Sequence, residues 1–262
     1  MTAQTILPAN TLSSGYDVAN SVRLDGSSAY MGKTMGTPTD ADKYTFSFWC
    51  KRSKLGAQQS IFRSTDDGTN DSHVTFQSDD TLRFEEYGGS ASIGKLQTTQ
   101  VFRDVSAWYH FVFVSDTTNS ITNQRARMYV NGERITDWGV TSFPSQNYDS
   151  DVFRTADPVV KVRVGSTVTN SNTGDRFWDG YIAEVHVVDG TALDASYFGE
   201  TKATTGQWIP KKVSGVTYGT NGFYLPFSAT ELANSFTDSS DPTTFTVNST
   251  ISSADILIVA GG

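Results

Sequence analysis

The chain has 262 residues and a formal charge of −8, from 28 acidic and 20 basic side chains. That length suits one all-β sandwich with short extensions, large enough to need neither a metal nor a disulfide to hold a core. The acidic balance argues against a nucleic-acid partner. The longest apolar runs, 108–114 and 256–260, fall far short of the ~20 residues needed for membrane insertion.

Residues 1–20 are polar, with Pro8 and Gly15, and read as an N-terminal arm that orders against a partner surface. The opening six residues lack a basic region and a long apolar stretch, so no secretory signal is expected. Residues 21–31 read as a first strand and turn. Over 44–51 the residues alternate, with Phe46, Phe48 and Cys50 on one face and Ser47 and Trp49 on the other. Cys50 is the single cysteine, which excludes an intrachain disulfide, and reads as a small apolar filler. Short strands are expected at 60–63, 73–77 and 81–87, the first two separated by the acidic loop 66–71.

The stretch 108–114 (Trp-Tyr-His-Phe-Val-Phe-Val) is rich in aromatic and β-branched residues, which fit a buried strand. Residues 127–135 read as two strands around Asn131-Gly132, the pair that a type I′ hairpin favours. From 136 to 158 the chain reads as a long irregular insertion, of the kind that is usually functional or mobile. A strand follows at 159–165.

Residues 177–188 read as two short strands or one bent strand around Asp179-Gly180. Strict alternation there places Tyr181, Ala183, Val185 and Val187 on one face, and Ile182, Glu184, His186 and Val188 on the other. Asp194 is placed to cap one helical turn, and 223–227 reads as the closing strand. Asn-Gly or Asp-Gly pairs at 25–26, 67–68, 131–132, 179–180, 189–190 and 221–222, with no long amphipathic period, predict an all-β antiparallel sandwich.

Several of these segments carry a family resemblance. "SAWYHFVFVSD" (106–116) followed by "RMYVNGERI" resembles the central signature of laminin-G-like, concanavalin A-type jelly rolls. "TFSFWCKRSKLG", "FWDGYIAEVHVVDGTALDASYFGE" and "GQWIPKKVSGVTYGTNGFYLPFS" resemble, in order, the laminin-G-like proteins of tailed bacteriophages. The resemblance implies a two-sheet antiparallel jelly roll over 21–230, with the last strand beside the first, followed by an extension over 231–262. The ending "SADILIVAGG" is similar to the strand that introduces glycine-rich modules in phage fibre proteins, so a longer gene product is expected.

The candidate chemistry is sparse. Hydrolytic jelly rolls alternate carboxylates on one strand. Here Glu85 and Glu86 are adjacent and point to opposite faces, and Glu184 has no acidic residue two positions away, so no enzyme is expected. His110 and His186 read as packed, hydrogen-bonded core histidines. No cofactor is required; Asp66, Asp67, Asn70 and Asp71 offer hard oxygen ligands that could hold Ca2+, although such clusters first of all form turns. Tyr87, Trp138, Phe143, Tyr148 and Asp149 combine aromatic faces with polar groups and are the candidate carbohydrate-binding residues. A cover for a sheet face or a subunit interface accounts for the same aromatics. Trp49, Trp108, Trp178 and Trp208 read as core.

The resemblance implies a virion protein, made in the host cytoplasm and acting outside the cell after lysis. Its expected partners are host-surface polysaccharide, other virion proteins and further copies of itself, with a trimer favoured. A purely structural decoration or adaptor role and a glycan depolymerase are the rival expectations.

Overall fold

The computed structural model describes residues 16–65, 70–88, 91–150, 161–168, 174–227, 235–240 and 244–247. In chain order, the strands are β1 (Val22–Asp25), β2 (Met31–Thr34), β3 (Lys43–Arg52), β4 (Gln59–Thr65), β5 (Asp71–Phe76), β6 (Thr81–Gly88), β7 (Ala91–Val101) and β8 (Tyr109–Asp116). Next come β9 (Ala126–Val130), β10 (Glu133–Arg134), β11 (Trp138–Ser142), β12 (Lys161–Val164), β13 (Thr167–Val168), β14 (Gly174–Asp175) and β15 (Asp179–Asp189). Five short strands complete the set: β16 (Gly199–Thr201), β17 (Trp208–Pro210), β18 (Phe223–Leu225), β19 (Ser235–Thr237) and β20 (Thr244–Val247).

They form two large antiparallel sheets, the jelly-roll sandwich the sequence predicts. The first runs β1-β15-β3-β8-β9-β10, with β18 also on β15; the second runs β11-β7-β6-β5-β4-β12-β2-β20-β19. Two small pairs, β13-β14 and β16-β17, stand apart. The strands β19 and β20 show that part of the expected extension joins the edge of the second sheet.

Alternation turns an apolar face of each sheet inward. Phe46, Phe48, Phe111 and Phe113 from the first sheet meet Phe62, Phe76 and Phe84 from the second. Phe46 and Phe62 approach to 4.1 Å between ring centroids, and the buried Trp178 stacks on Phe76 at 5.6 Å. Each such aromatic pair adds about 0.5–1.5 kcal/mol beyond its buried area. Cys50 is fully enclosed among them, and burial pushes its thiol far above the ordinary range.

The hairpin between β9 and β10 turns at Asn131 and Gly132 with φ of +49° and +83°, as a type I′ turn requires. Asp194 caps the 3-10 turn Ala195–Tyr197 by accepting from the Ser196 N–H at 2.9 Å.

Three expectations are corrected. β7, eleven residues long, is absent from the sequence reading because its outward residues, Lys95 and Gln97, are polar and its inward set is thin. The insertion after residue 136 is not wholly irregular: it opens with β11, an edge strand with exposed residues from Gly139 to Ser142 and hence no apolar alternation. Residues 177–188 do not alternate throughout, because β15 bulges between Ala183 and His186. Glu184 takes φ +48° there, and the extra residue shifts the phase. Ile182, Val185 and Val187 therefore share the core face, while Ala183 and His186 face outward.

That bulge also divides one edge of β15. β1 pairs with residues 179–182 and β18 with 185–187, end to end on the side opposite β3. The closing strand thus lies in line with the first strand.

Candidate functional site

The outward faces of the two sheets differ. That of the first sheet is apolar and covered by the chain itself: Val112, Val114 and Val188 pack under Leu193, Ala195 and Phe198, with Trp208, Val213, Val216 and Tyr218 around them. That of the second sheet carries polar side chains on its central strands. Because Val162, Val164, Phe62, Val74, Phe84 and Leu96 point inward, the neighbours Arg163, Arg63, His73, Glu85 and Lys95 point outward. Register aligns these five in one row across β12, β4, β5, β6 and β7.

Their contacts form a continuous network. Arg63 Nη2 lies 2.6 Å from Asp71 Oδ2, and His73 Nδ1 lies 3.4 Å from Asp71 Oδ1. Glu85 receives Lys95 Nζ at 2.5 Å, Arg83 Nη1 at 3.5 Å and Ser92 Oγ at 3.2 Å, with His73 Nε2 at 3.7 Å. Arg83 also donates from Nε and Nη2 to Gln97 Oε1 at 3.0 and 2.7 Å. The Arg163 guanidinium covers the Tyr30 ring at 4.1 Å. Tyr87 stacks on His73 at 6.1 Å between centroids. Burial, then the neighbouring Glu85, raises its phenol above the ordinary value. Glu85 lies deeper than its partners: its side chain is 1% exposed, against 24% for Lys95 and 26% for Arg83. Buried carboxylates need such partners, since an unpaired one would cost several kcal/mol.

The family model described as the concanavalin A-like lectin/glucanases superfamily matches residues 25–196. The chain belongs to this superfamily. No curated protein matches it significantly in sequence. Among solved structures, it is similar to a heptameric SAP-like pentraxin from Limulus polyphemus, at 16% identity and a TM-score of 0.53 over 91% of this chain and all of that one. It is also similar to a Bacteroides ovatus protein described as a "putative carbohydrate binding protein", at 15% identity and a TM-score of 0.58 over 93% of this chain and 60% of that one. These identities speak for the fold alone.

In this concanavalin A-like domain the five candidate carbohydrate-binding residues do not form one cluster. Tyr87 stands on the outward face of the second sheet, beside Asp71 and Glu85. Trp138 and Phe143, at the β11 edge, pack against the margin of the core. Tyr148 and Asp149 lie in the loop after β11, which is tied down by Thr117 Oγ1 donating to the Tyr148 carbonyl at 2.9 Å and by the Ser150 N–H donating to the Ala41 carbonyl at 2.9 Å. Of the candidate metal ligands, Asp66 and Asp67 fall outside the described residues. Asp71 is engaged by Arg63, and among the described residues no three His, Cys, Asp or Glu side chains converge on a metal position.

Glu85 and Glu86 do point to opposite faces. Glu86 is turned inward, where Tyr44 Oη donates to it at 3.1 Å and Ser150 Oγ also hydrogen-bonds to it. Two histidines, His110 and His186, are enclosed and hydrogen-bonded, as expected, on the covered side of the first sheet. His110 lies between the rings of Trp49, at 4.8 Å, and Trp208, at 6.0 Å. His186 Nδ1 bonds Tyr218 Oη at 2.7 Å, and its ring stacks on Tyr224 at 4.1 Å. Burial lowers both histidines, His110 to about 3. Trp178 and Trp49 are buried, while Trp208 is half-buried over the first sheet.

Sequence reasoning missed Arg63, Arg83, Lys95 and Arg163. The signal that could have found them is period-two spacing: Arg83, Glu85 and Tyr87 alternate with Leu82, Phe84 and Glu86, so three polar residues share an outward face.

Proposed function

We propose that this domain is displayed on a bacteriophage virion, on fibre, tail or capsid, and attaches the particle to host-surface glycans without cleaving them. One observation carries the reading: the second sheet turns outward a polar face in which Tyr87 stands among Arg63, His73, Asp71 and Glu85. An aromatic ring for the apolar side of a sugar, with charged and amide groups for its hydroxyls, is the combination that saccharide sites use. Superfamily membership supports it, as do a like-folded protein described as carbohydrate binding and the resemblance to tailed-phage proteins. Hydrolysis is left out because the two acids of this face are tied to cations, Asp71 to Arg63 and Glu85 to Lys95.

The test is adsorption. Purified protein should bind isolated host envelope polysaccharide and compete with phage for host cells, and Tyr87→Ala should weaken both. Release of sugar from the envelope would instead identify a depolymerase. If chelation leaves binding unchanged, calcium at the 66–71 loop plays no part in it.

A structural adaptor role is the second reading. It is favoured by β11, whose exposed residues, Gly139 to Ser142, form an edge with no further strand beyond it among the described residues, suited to pairing with another virion protein or another copy of this chain. Particles that fall apart without the protein, together with a blank glycan screen, would select it.

A further inference from the structure

We infer that the glycan bound by this face is an acidic polysaccharide, laid across the strands with its carboxylate or sulfate groups against Arg63, Arg83 and Lys95. The inference rests on the glycan-binding reading above and narrows it to one chemical class.

Charge layering is the first argument. The whole chain carries −8. The outward face of the second sheet nevertheless sets Arg63, Arg83 and Lys95 beside Asp71 and Glu85. Glu85 lies beneath, and the partly exposed groups over it are the cations Lys95 and Arg83. Glu85 alone receives Lys95 and Arg83, so the cations exceed what the buried acids need. Lysine has three donors and arginine five, and neither accepts. The remaining donors of the partly exposed Lys95 and Arg83 point to an anionic partner, which guanidinium groups grip through paired charge-assisted hydrogen bonds. A cationic face on an otherwise acidic protein also concentrates polyanions locally.

Shape is the second argument. Arg63, His73, Glu85 and Lys95 occupy one row over β4, β5, β6 and β7. Three strand spacings of about 4.8 Å extend that row to about 14 Å, room for a short run of sugars rather than one. Arg83 and Tyr87 flank Glu85 two residues away on either side, so charged and aromatic contacts lie on both sides of the row.

The experiment titrates the full chain with polygalacturonate, dextran sulfate and neutral dextran by isothermal calorimetry, at low and moderate salt. The expected result is binding of one or both acidic polymers, weakened by salt, with neutral dextran inert. Polygalacturonate alone would mark carboxylate recognition, and dextran sulfate alone sulfate recognition. Arg83→Gln should weaken binding about tenfold, the worth of one charge-assisted contact. Lys95→Gln combined with Glu85→Gln removes a cation without stranding a buried acid, so it tests Lys95 even if the single variant fails to fold. Equal binding of neutral dextran with no salt dependence would overturn the acidic class while leaving glycan attachment standing. If none of the three polymers nor the isolated host envelope polysaccharide binds, both readings fall.

Discussion

The indole N–H of Trp208 donates to Nδ1 of His110 at 2.9 Å, which leaves the ring proton on Nε2, where it is donated to Ser47 Oγ at 2.9 Å. Both nitrogens are thus satisfied in the neutral ring, and a second proton would have to displace the indole. Burial, with His186 as a minor contributor, lowers the pKa to about 3 from an ordinary 6.5.

The unfolded chain therefore takes up a proton as pH drops below 6.5, whereas the fold resists until pH nears 3. Stability is complete above the unfolded value and falls as pH falls through this window. The loss attributable to His110 reaches on the order of 5 kcal/mol at the acid end. Urea unfolding at a series of pH values should show this slope, and a folded His110→Gln variant should flatten it. An unchanged slope in that variant would rule His110 out as its source.

Glu184 Oε2 accepts from Tyr16 Oη at 2.7 Å and Tyr224 Oη at 2.9 Å, at the point where β18 and β1 meet along β15. Burial is the main reason the Tyr16 phenol is pushed up to about 12. Glu184→Ala should cost about 2–3 kcal/mol and open the chain near Tyr16 to proteolysis, since a carboxylate acceptor for two phenols is lost. Glu184→Gly should be milder by about 1 kcal/mol, because the φ of +48° no longer strains a side chain. Persistent protection of Tyr16 in Glu184→Ala would refute the latch.

Two glycines with similar backbones separate strain from overlap. A methyl group on Gly132 (φ +83°) would overlap the Trp208 ring, whereas one on Gly206 (φ +71°) meets nothing within 4 Å. Gly206→Ala should lower stability by about 1 kcal/mol from conformation alone. Gly132→Ala should cost at least about 2 kcal/mol, as overpacking adds to the strain. Thermal melts of the pair check this, and equal losses would mean that Trp208 yields freely.

Trp138 and Tyr87 should respond differently to truncation. Trp138 packs against the margin of the core, so Trp138→Ala should cost about 2 kcal/mol, less than a fully enclosed tryptophan. Tyr87→Ala should leave the melting temperature nearly unchanged and weaken attachment to glycan. A Trp138→Ala variant of full stability that no longer adsorbs would place the sugar at the β11 edge instead.

The sandwich was legible in the sequence because its core strands, such as Lys43–Arg52 and Tyr109–Asp116, carry dense aromatic and β-branched residues punctuated by Asn-Gly and Asp-Gly turns. β7 and β11 were not, because a strand with a polar outward face and an exposed edge loses the alternation that marks it. The phase shift at Glu184 was invisible for another reason: a bulge is set by pairing across β3, not by local composition. For the candidate site, Tyr87 was readable as an aromatic beside glycines. The charged row around it was not, since Arg63, His73, Glu85 and Lys95 come from four separate strands and meet only through their register.

The first sheet is covered by the chain itself, whereas the second turns a closely packed polar face outward. Tyr16 reaches Glu184, Tyr224 and the His186 neighbourhood on the covered side. The chain at Tyr16 is therefore fastened on the covered side. The charged row of the second sheet lies on the opposite side of the sandwich from that anchorage.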